Sequence, residues 1–318
     1  MKVIDLIHKS DKTLFSFELL PPLKGNNIAS VYRTIDPLMP FNPSFINITY
    51  HQEEVVYKTR ENGLLEKKTI RKRPGTVAIS AASKYKYPSV EVVPHIICGG
   101  FTKEETEYAL IDLHYLGIDN ILALRGDAPK NQRTFLPEQN GHAHAGSLVA
   151  QITDMNRGRY LDDELLNSFH TNFCVGVAGY PEKHIESPNL ACDLKYLKEK
   201  IDAGAEYIIT QMFFDNRKYF DFVESCRKAG ITVPIIPGLK SISAIKEINV
   251  LPQVFSIDIP DELVNKIMKC KTNEDAIKAG IDWTIGQSEE LIRFGVPVLH
   301  YFTVGISDNI RRIAKAVF

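Results

Sequence analysis

The sequence predicts an α/β protein of the (β/α)8 (TIM) barrel type, a single domain over residues 1–318. Three observations predict it. Short apolar runs alternate with amphipathic stretches from end to end, as parallel strand–helix units require. No GxGxxG follows the first run, where a Rossmann domain would carry its phosphate turn. Polar residues cluster just past the C-terminal ends of many different runs; a barrel gathers such positions into one bowl, whereas an open sheet would spread them along a line. A chain of 318 residues holds a barrel of about 250 with room for insertions.

The strands are expected at Leu14–Leu19, Ser44–Tyr50, Glu91–Ile97, Ile118–Leu124, Asn172–Ala178, Tyr207–Gln211, Val233–Pro237 and Val296–Phe302. They are rich in Val, Ile and Phe, and several are apolar throughout, as strands covered on both faces should be. Helices are expected at Thr102–Leu116, Asn189–Ala203, Asn216–Ala229 and Asn273–Phe294. The first opens with Thr102 followed three residues later by Glu105, a capping box, and each stops at a glycine: Gly117, Gly204, Gly230 and Gly295. Residues 52–73, QEEVVYKTRENGLLEKKTIRKR, break the rhythm. Asn62-Gly63 between two alternating arms predicts a charged β-hairpin inserted after strand two. Its basic end reads as a solvated face, with anion binding as the other reading.

Composition narrows the function classes. Thirty-eight basic and 39 acidic residues give a formal charge of -1, so no global field attracts nucleic acid or an anionic membrane. No apolar run approaches the ~20 residues of a membrane span, and the first residues lack a signal-peptide core, so a cytoplasmic location is expected. The five cysteines are scattered without a CxxC pair, and buried, reduced thiols are expected. Cys98, alone at a strand end, reads as packing, with ligand contact left open.

The candidate chemistry lies at the strand ends: Glu18, Thr49 with His51, His95, Arg125 with Asp127, Tyr180 with His184, Gln211 with Asp215, and Lys240. Glu18, hemmed by apolar side chains and Pro21-Pro22, is a carboxyl whose pKa burial would raise toward neutrality, as a general acid needs; a capping or ion-paired glutamate is the structural alternative. Leu124-Arg125-Gly126-Asp127 puts a cation, a permissive backbone and an anion at the rim, which suits phosphate or could be a simple turn. Tyr180 could stack on a flat ring and His184 could reach a phosphate. Gln211 has the donor and acceptor needed to read the edge of a pterin or nucleobase. His142-Ala143-His144 has the form of a metal HxH, but no third ligand stands at suitable spacing, and no metal is expected.

Together and in order these residues resemble methylenetetrahydrofolate reductases, over residues 14 to 303. The matching landmarks are FSFELLPP at 15–22, NITY at 47–50, PHIICGG at 94–100, NILALRGDAP at 120–129, GVAGYPEKHIES at 176–187, DLKYLKEKIDAGAEYIITQMFFD at 193–215, VPIIPGLKSI at 233–242 and VLHYFT at 298–303. The resemblance implies non-covalent FAD in the barrel mouth, held by Thr49, His95, Arg125, Gly126, Asp127, His144, Ala145, Tyr180, His184, Asp193 and Lys200. It implies Glu18 and Asp127 as catalytic groups, with Glu18, Asp127 and Gln211 touching the folate. The activity implied is ping-pong hydride transfer from NADH or NADPH through FAD to 5,10-methylenetetrahydrofolate, giving 5-methyltetrahydrofolate for methionine synthesis and one-carbon metabolism. A homo-oligomer is implied, and inhibition by S-adenosylmethionine is not expected. Where family members commonly read TLNR after the last strand, this chain has Thr303-Val304-Gly305-Ile306; Tyr196 and Glu199 also depart from the family pattern. Two rivals stand beside this reading. One is a pterin-binding TIM-barrel methyltransferase without flavin, which lack of flavin absorbance would reveal. The other is a ligand-binding barrel without catalysis, against which the joint presence of Glu18, Asp127 and Gln211 speaks.

Overall fold

The computed structural model of the chain describes residues 1–128, 134–165 and 168–318. Its strands are β1 (Leu14–Leu19), β2 (Phe45–Ile48), β3 (Glu54–Thr59), β4 (Leu65–Ile70), β5 (Glu91–Ile97), β6 (Asn120–Leu124), β7 (Cys174–Gly179), β8 (Tyr207–Thr210), β9 (Ile235–Ile236), β10 (Gly238–Leu239) and β11 (Val298–Phe302). Leaving aside the β3–β4 hairpin, they form one sheet in the order β10-β11-β1-β2-β5-β6-β7-β8-β9, with parallel pairing throughout. The two ends of that order are one stretch of chain: only Pro237, which has no N–H to give a ladder, separates β9 from β10. β9 pairs with β8 and β10 with β11. The sheet is therefore a closed ring of eight staves, the expected barrel.

The chain's helices are α1 (Val3–Lys9), α2 (Ile28–Ile35), α3 (Thr76–Lys86), α4 (Lys103–Tyr115), α5 (Ala145–Asn156), α6 (Leu190–Asp202), α7 (Asn216–Lys228), α8 (Glu247–Phe255), α9 (Asp261–Met268), α10 (Asn273–Phe294) and α11 (Asp308–Val317). Local signals set their ends. Thr102 Oγ1 accepts from Glu105 N at 3.1 Å while Glu105 Oε2 accepts from Thr102 N at 2.8 Å, the expected box. Asn189 caps α6 through Cys192 N at 2.9 Å, and α10 ends where Gly295 turns to φ 89°. Among the described residues, no helix is long and apolar enough to cross a membrane.

Strand alternation divides the core into two shells. Phe15, Phe17, Leu19, Ile46, Ile48, Val175 and Val177 point outward into the layer beneath the helices. Phe45, Val93, Leu122, Cys174, Tyr207, Ile209, Ile236 and Val298 fill the barrel from inside, with Val3 closing it below. That floor is pinned by Asn120, whose Oδ1 accepts from Val3 N at 2.8 Å and whose Nδ2 donates to Met1 O at 2.9 Å. Pins of this kind leave α1 little freedom and keep the lower end of the barrel shut.

The insertion at 52–73 forms the expected antiparallel hairpin, in register from Glu54↔Ile70 to Thr59↔Leu65. Its reversal takes residues 60–64, with Asn62 Oδ1 accepting from Leu64 N at 3.1 Å and Gly63 at φ 76°. A positive φ is why glycine stands there.

Candidate active site

The C-terminal ends of the barrel strands form one rim, and the candidate residues lie on it or on the neighbouring helices α5 and α6. Glu18 ends β1, Thr49 follows β2, His95 sits in β5, Arg125-Gly126-Asp127 leave β6, Tyr180 and His184 follow β7, and Gln211 follows β8. His144 and Ala145 open α5, and Asp193 and Lys200 stand on α6. Within this rim two electrostatic neighbourhoods can be told apart.

The first surrounds Glu18. Its Oε2 lies 3.5 Å from His95 Nε2, with side chains only 20% and 6% exposed. Such a distance would suit an ion pair, yet burial pushes the Glu18 acid up to about 8. Burial, with a smaller contribution from His51, pulls the His95 imidazole down to about 3. Desolvation outweighs the mutual attraction, so the contact is between neutral groups and Glu18 keeps its proton near neutral pH. Asn47, fully buried on β2, places Nδ2 3.2 Å from His95 Nε2; with the amide so oriented, Nε2 is the acceptor and the ring proton sits on Nδ1. Backbone bonds hold the rim here, since Thr303 Oγ1 donates to Glu18 O at 2.7 Å and Thr49 Oγ1 to Leu19 O at 3.1 Å.

Below Glu18 the barrel interior stays polar. Ser16 Oγ lies 2.9 Å from His300 Nδ1, and burial pushes that imidazole down to about 3. Sequence reasoning did not single out Ser16, Asn47 or His300. Asn47 and His300 lie inside the quoted NITY and VLHYFT runs, but only the register of β1, β2 and β11 shows that they point inward.

The second neighbourhood joins the ends of β6 and β7 to α6. Arg125 forms a bidentate pair with Glu186, Nη1–Oε2 at 2.5 Å and Nη2–Oε1 at 2.9 Å, while its guanidinium carbon stands 4.9 Å from the Phe135 ring centre. The Arg125 contact pulls Glu186 below the usual carboxylate range. Gly126, at φ 84°, takes a conformation a side chain would resist, and a Cβ there would press within 3.2 Å of Ile97. The Tyr180 and His184 rings meet edge to face, 4.8 Å apart at 78°. Asp193 ties the loop to α6, accepting from His184 N at 2.7 Å and Ser187 Oγ at 3.0 Å. Lys200 Nζ donates to Ala178 O at 2.6 Å, and burial pulls its pKa down to about 8 against the opposing pull of Asp193. Glu186 was not foreseen as the partner of Arg125, because the two lie 61 residues apart.

Other candidates take simpler places. His142 is engaged on both ring nitrogens, by Ser147 Oγ at 3.1 Å and Gln151 Oε1 at 2.5 Å, whereas His144 stacks on Tyr196 at 6.4 Å. The HxH histidines thus serve different neighbours. Gln211 Oε1 accepts from Met212 N at 2.9 Å, leaving its amide N–H pair to offer. Lys240 pairs with Glu247 at 2.9 Å. Cys98 donates to Leu124 O at 3.5 Å, and burial pushes its thiol up to about 12. Chemically, the rim combines a neutral acid, several cations, aromatic edges and an open helix start.

A family model described as methylenetetrahydrofolate reductase matches residues 3–317. Methylenetetrahydrofolate reductase (NADH) 1 of Arabidopsis thaliana is 33% identical, over 97% of this chain and 49% of its own length. The 5,10-methylenetetrahydrofolate reductase of Salmonella typhimurium is 29% identical, over 92% of this chain and 86% of its own. The chain thus spans about half the length of the plant relative and most of the bacterial one. A Clostridium thermocellum protein whose structure is described as binding two copies of 5-methyl-5,6,7,8-tetrahydrofolic acid shares the fold, with a TM-score of 0.58 at 18% identity over 98% of this chain and 96% of that one. Because the model runs almost from end to end and the plant protein agrees at one position in three, this chain belongs to the methylenetetrahydrofolate reductase family.

Proposed function

We propose that the chain acts as one catalytic domain that reduces 5,10-methylenetetrahydrofolate to 5-methyltetrahydrofolate, with NADH or NADPH as donor and FAD held in the barrel mouth. The observation that carries the reading is Glu18: a mostly buried acid at the end of β1, whose carboxyl burial pushes up to about 8. Relatives are named for NADH in Arabidopsis thaliana and for NADPH in Caenorhabditis elegans, and either nicotinamide suits this reading.

The rim's donor set fits a flavin nucleotide. Lys200 is a half-buried cation, and α5 opens at His144 without a side-chain cap, so its first N–H groups are open to a phosphate. Gly126 gives backbone access where a side chain would clash, and Tyr180 and His184 present aromatic edges. Thr49, His95, Arg125, Gly126, Asp127, His144, Ala145, Tyr180, His184, Asp193 and Lys200 would hold the group. When bound, FAD supplies the two-electron hydride chemistry that no protein side chain can.

The chain's own residues would do the rest. Glu18 keeps a proton on its carboxyl near neutral pH for transfer to the folate, with the neutral His95 ring 3.5 Å away. Asp127, exposed at the mouth, places a negative carboxylate where it stabilises positive charge developing on the folate. Gln211, its Oε1 taken by Met212 N, would offer its amide N–H pair to the pterin edge. The test separates the half-reactions under anaerobic conditions. Glu18→Gln should let NADH bleach the flavin at close to the wild-type rate, while reoxidation by methylenetetrahydrofolate falls by about 10²–10⁴, the usual weight of a general acid. Unchanged reoxidation would remove Glu18 from this role. A colourless protein unable to take up FAD would favour the flavin-free methyltransferase.

A further inference from the structure

A cavity of about 410 Å3 opens beside the rim, between the loop leaving β1, the start of α2 and the base of the β3–β4 hairpin. Its volume lies within the range of small-molecule sites. Pro22, Val31 and Ile79 give it an apolar wall, while Lys24, Arg71 and Arg73 bring three cations; none of its described lining residues is acidic. Some hairpin cations have carboxylate partners: Arg60 pairs with Glu66 at 2.5 Å and Lys72 with Glu54 at 2.5 Å. Among the described residues, Lys24, Arg71 and Arg73 have no such carboxylate. Arg73 instead donates to the Pro21 carbonyl, and burial pulls its pKa down without an anion to oppose the cost. Arg71 faces the Tyr50 ring at 6.0 Å. Three cations without a carboxylate partner among the described residues therefore meet at this cavity.

The walls are braced before any ligand arrives. Lys24 N donates to Lys72 O at 2.7 Å, and the Arg73–Pro21 bond fastens the hairpin base to the loop that follows Glu18. Pro22 stands four residues beyond Glu18, so the cavity begins within about 14 Å of the acid even for a fully extended chain. A folate held with its ring at Glu18 trails an aryl amide ending in glutamate carboxylates. An apolar wall followed by cations matches that arm in order. After β11 Ile306 is exposed and Arg311 is paired with Asp308 at 2.7 Å, so of the two arginines there only Arg312 lacks a carboxylate among the described residues.

We propose that this cavity seats the glutamyl tail of the folate substrate, its apolar wall against the aryl group and Lys24, Arg71 and Arg73 against the carboxylates. The proposal rests on the folate reading above and adds the means of tail recognition. Guanidinium–carboxylate pairs in a preformed cavity favour ligands with more carboxylates, so a polyglutamylated folate should bind better than the monoglutamate.

Equilibrium binding of 5-methyltetrahydrofolate to the FAD-loaded protein, as monoglutamate and as triglutamate, tests this. Lys24→Gln, Arg71→Gln and the double variant are the proteins to compare; Arg73 is left intact because its bond to Pro21 shapes the loop beside Glu18. Wild type should bind the triglutamate at least tenfold more tightly than the monoglutamate. The double variant should lose most of that ratio, and its triglutamate affinity should respond less steeply to salt. Equal binding of the two folates by wild type, or an unchanged ratio in the double variant, would overturn the tail site while turnover of monoglutamate methylenetetrahydrofolate still upheld the reductase. Weakened NADPH binding with folate binding intact would reassign the cations to a nucleotide phosphate and overturn it too. A wild type that neither binds nor turns over the monoglutamate would overturn both readings.

Discussion

Glu18 shows how burial of a single acid couples stability to pH. In the unfolded chain its carboxyl gives up its proton near 4.5, whereas in the fold it keeps it to about 8. Between those values the folded state binds the extra proton, so Glu18 makes the protein less stable as pH rises from about 4.5 to 8, and the penalty is complete above that window. Glu18→Gln carries no such penalty. Measured by thermal unfolding, its advantage over wild type should therefore be small at pH 5 and should grow to several degrees by pH 8.5; a difference independent of pH would mean that Glu18 is not protonated in the fold. Sequence showed the acid and its apolar, proline-bounded setting. It did not show Asn47 and His95 beside it, because Asn47 is 48 residues from His95 and only strand register brings them together.

At the scale of elements, most of what the sequence predicted was local. The α4 box is one instance: Thr102→Ala would leave the Glu105 N–H without its cap and should destabilise the protein by about 1 kcal/mol in urea unfolding. The 52–73 hairpin is another, since Asn62-Gly63 and two alternating arms suffice to specify it. Its strands pair with each other and not with the barrel sheet. Shortening the tip, residues 59–65, to a two-residue Asn-Gly turn should therefore shift the melting temperature by no more than a degree or two, and a large loss would show that the tip supports the barrel. Helices α1, α2, α3, α5, α8, α9 and α11 were less legible. α8 carries Pro252 within it, and α9 spans only Asp261–Met268, too short for a periodic pattern to stand out.

For the whole molecule, closure of the ring is the decisive event, and it takes place at the stretch Ile235–Leu239. Gly238 lies where a Cβ would stand 2.2 Å from the Thr210 carbonyl oxygen and 2.8 Å from the Phe302 ring. Neither a backbone oxygen nor a packed ring can yield that much, so Gly238→Ala should cost at least ~2–3 kcal/mol, visible as a lower urea midpoint or as insoluble protein. An unaltered midpoint would mean that β8 and β11 do not approach so closely. The floor makes a parallel case: Asn120→Ala removes the bonds to Met1 O and Val3 N, leaves Val3 N–H buried without its acceptor, and should cost about 1–3 kcal/mol.

By itself the sequence determined the strand–helix alternation, the caps and hairpin turn, the acid at the end of β1, and the family to which the ordered motifs belong. These depend on spacings of a few residues and on side-chain chemistry, both of which are carried by neighbours along the chain. Tertiary structure decided that Ile235–Leu239 joins two edges into a ring, that Arg125 faces Glu186, and that the unpaired cations of the hairpin base surround a cavity near Glu18. Each of those depends on groups tens to hundreds of residues apart, whose meeting is set by strand register and barrel closure, and no local pattern encodes either.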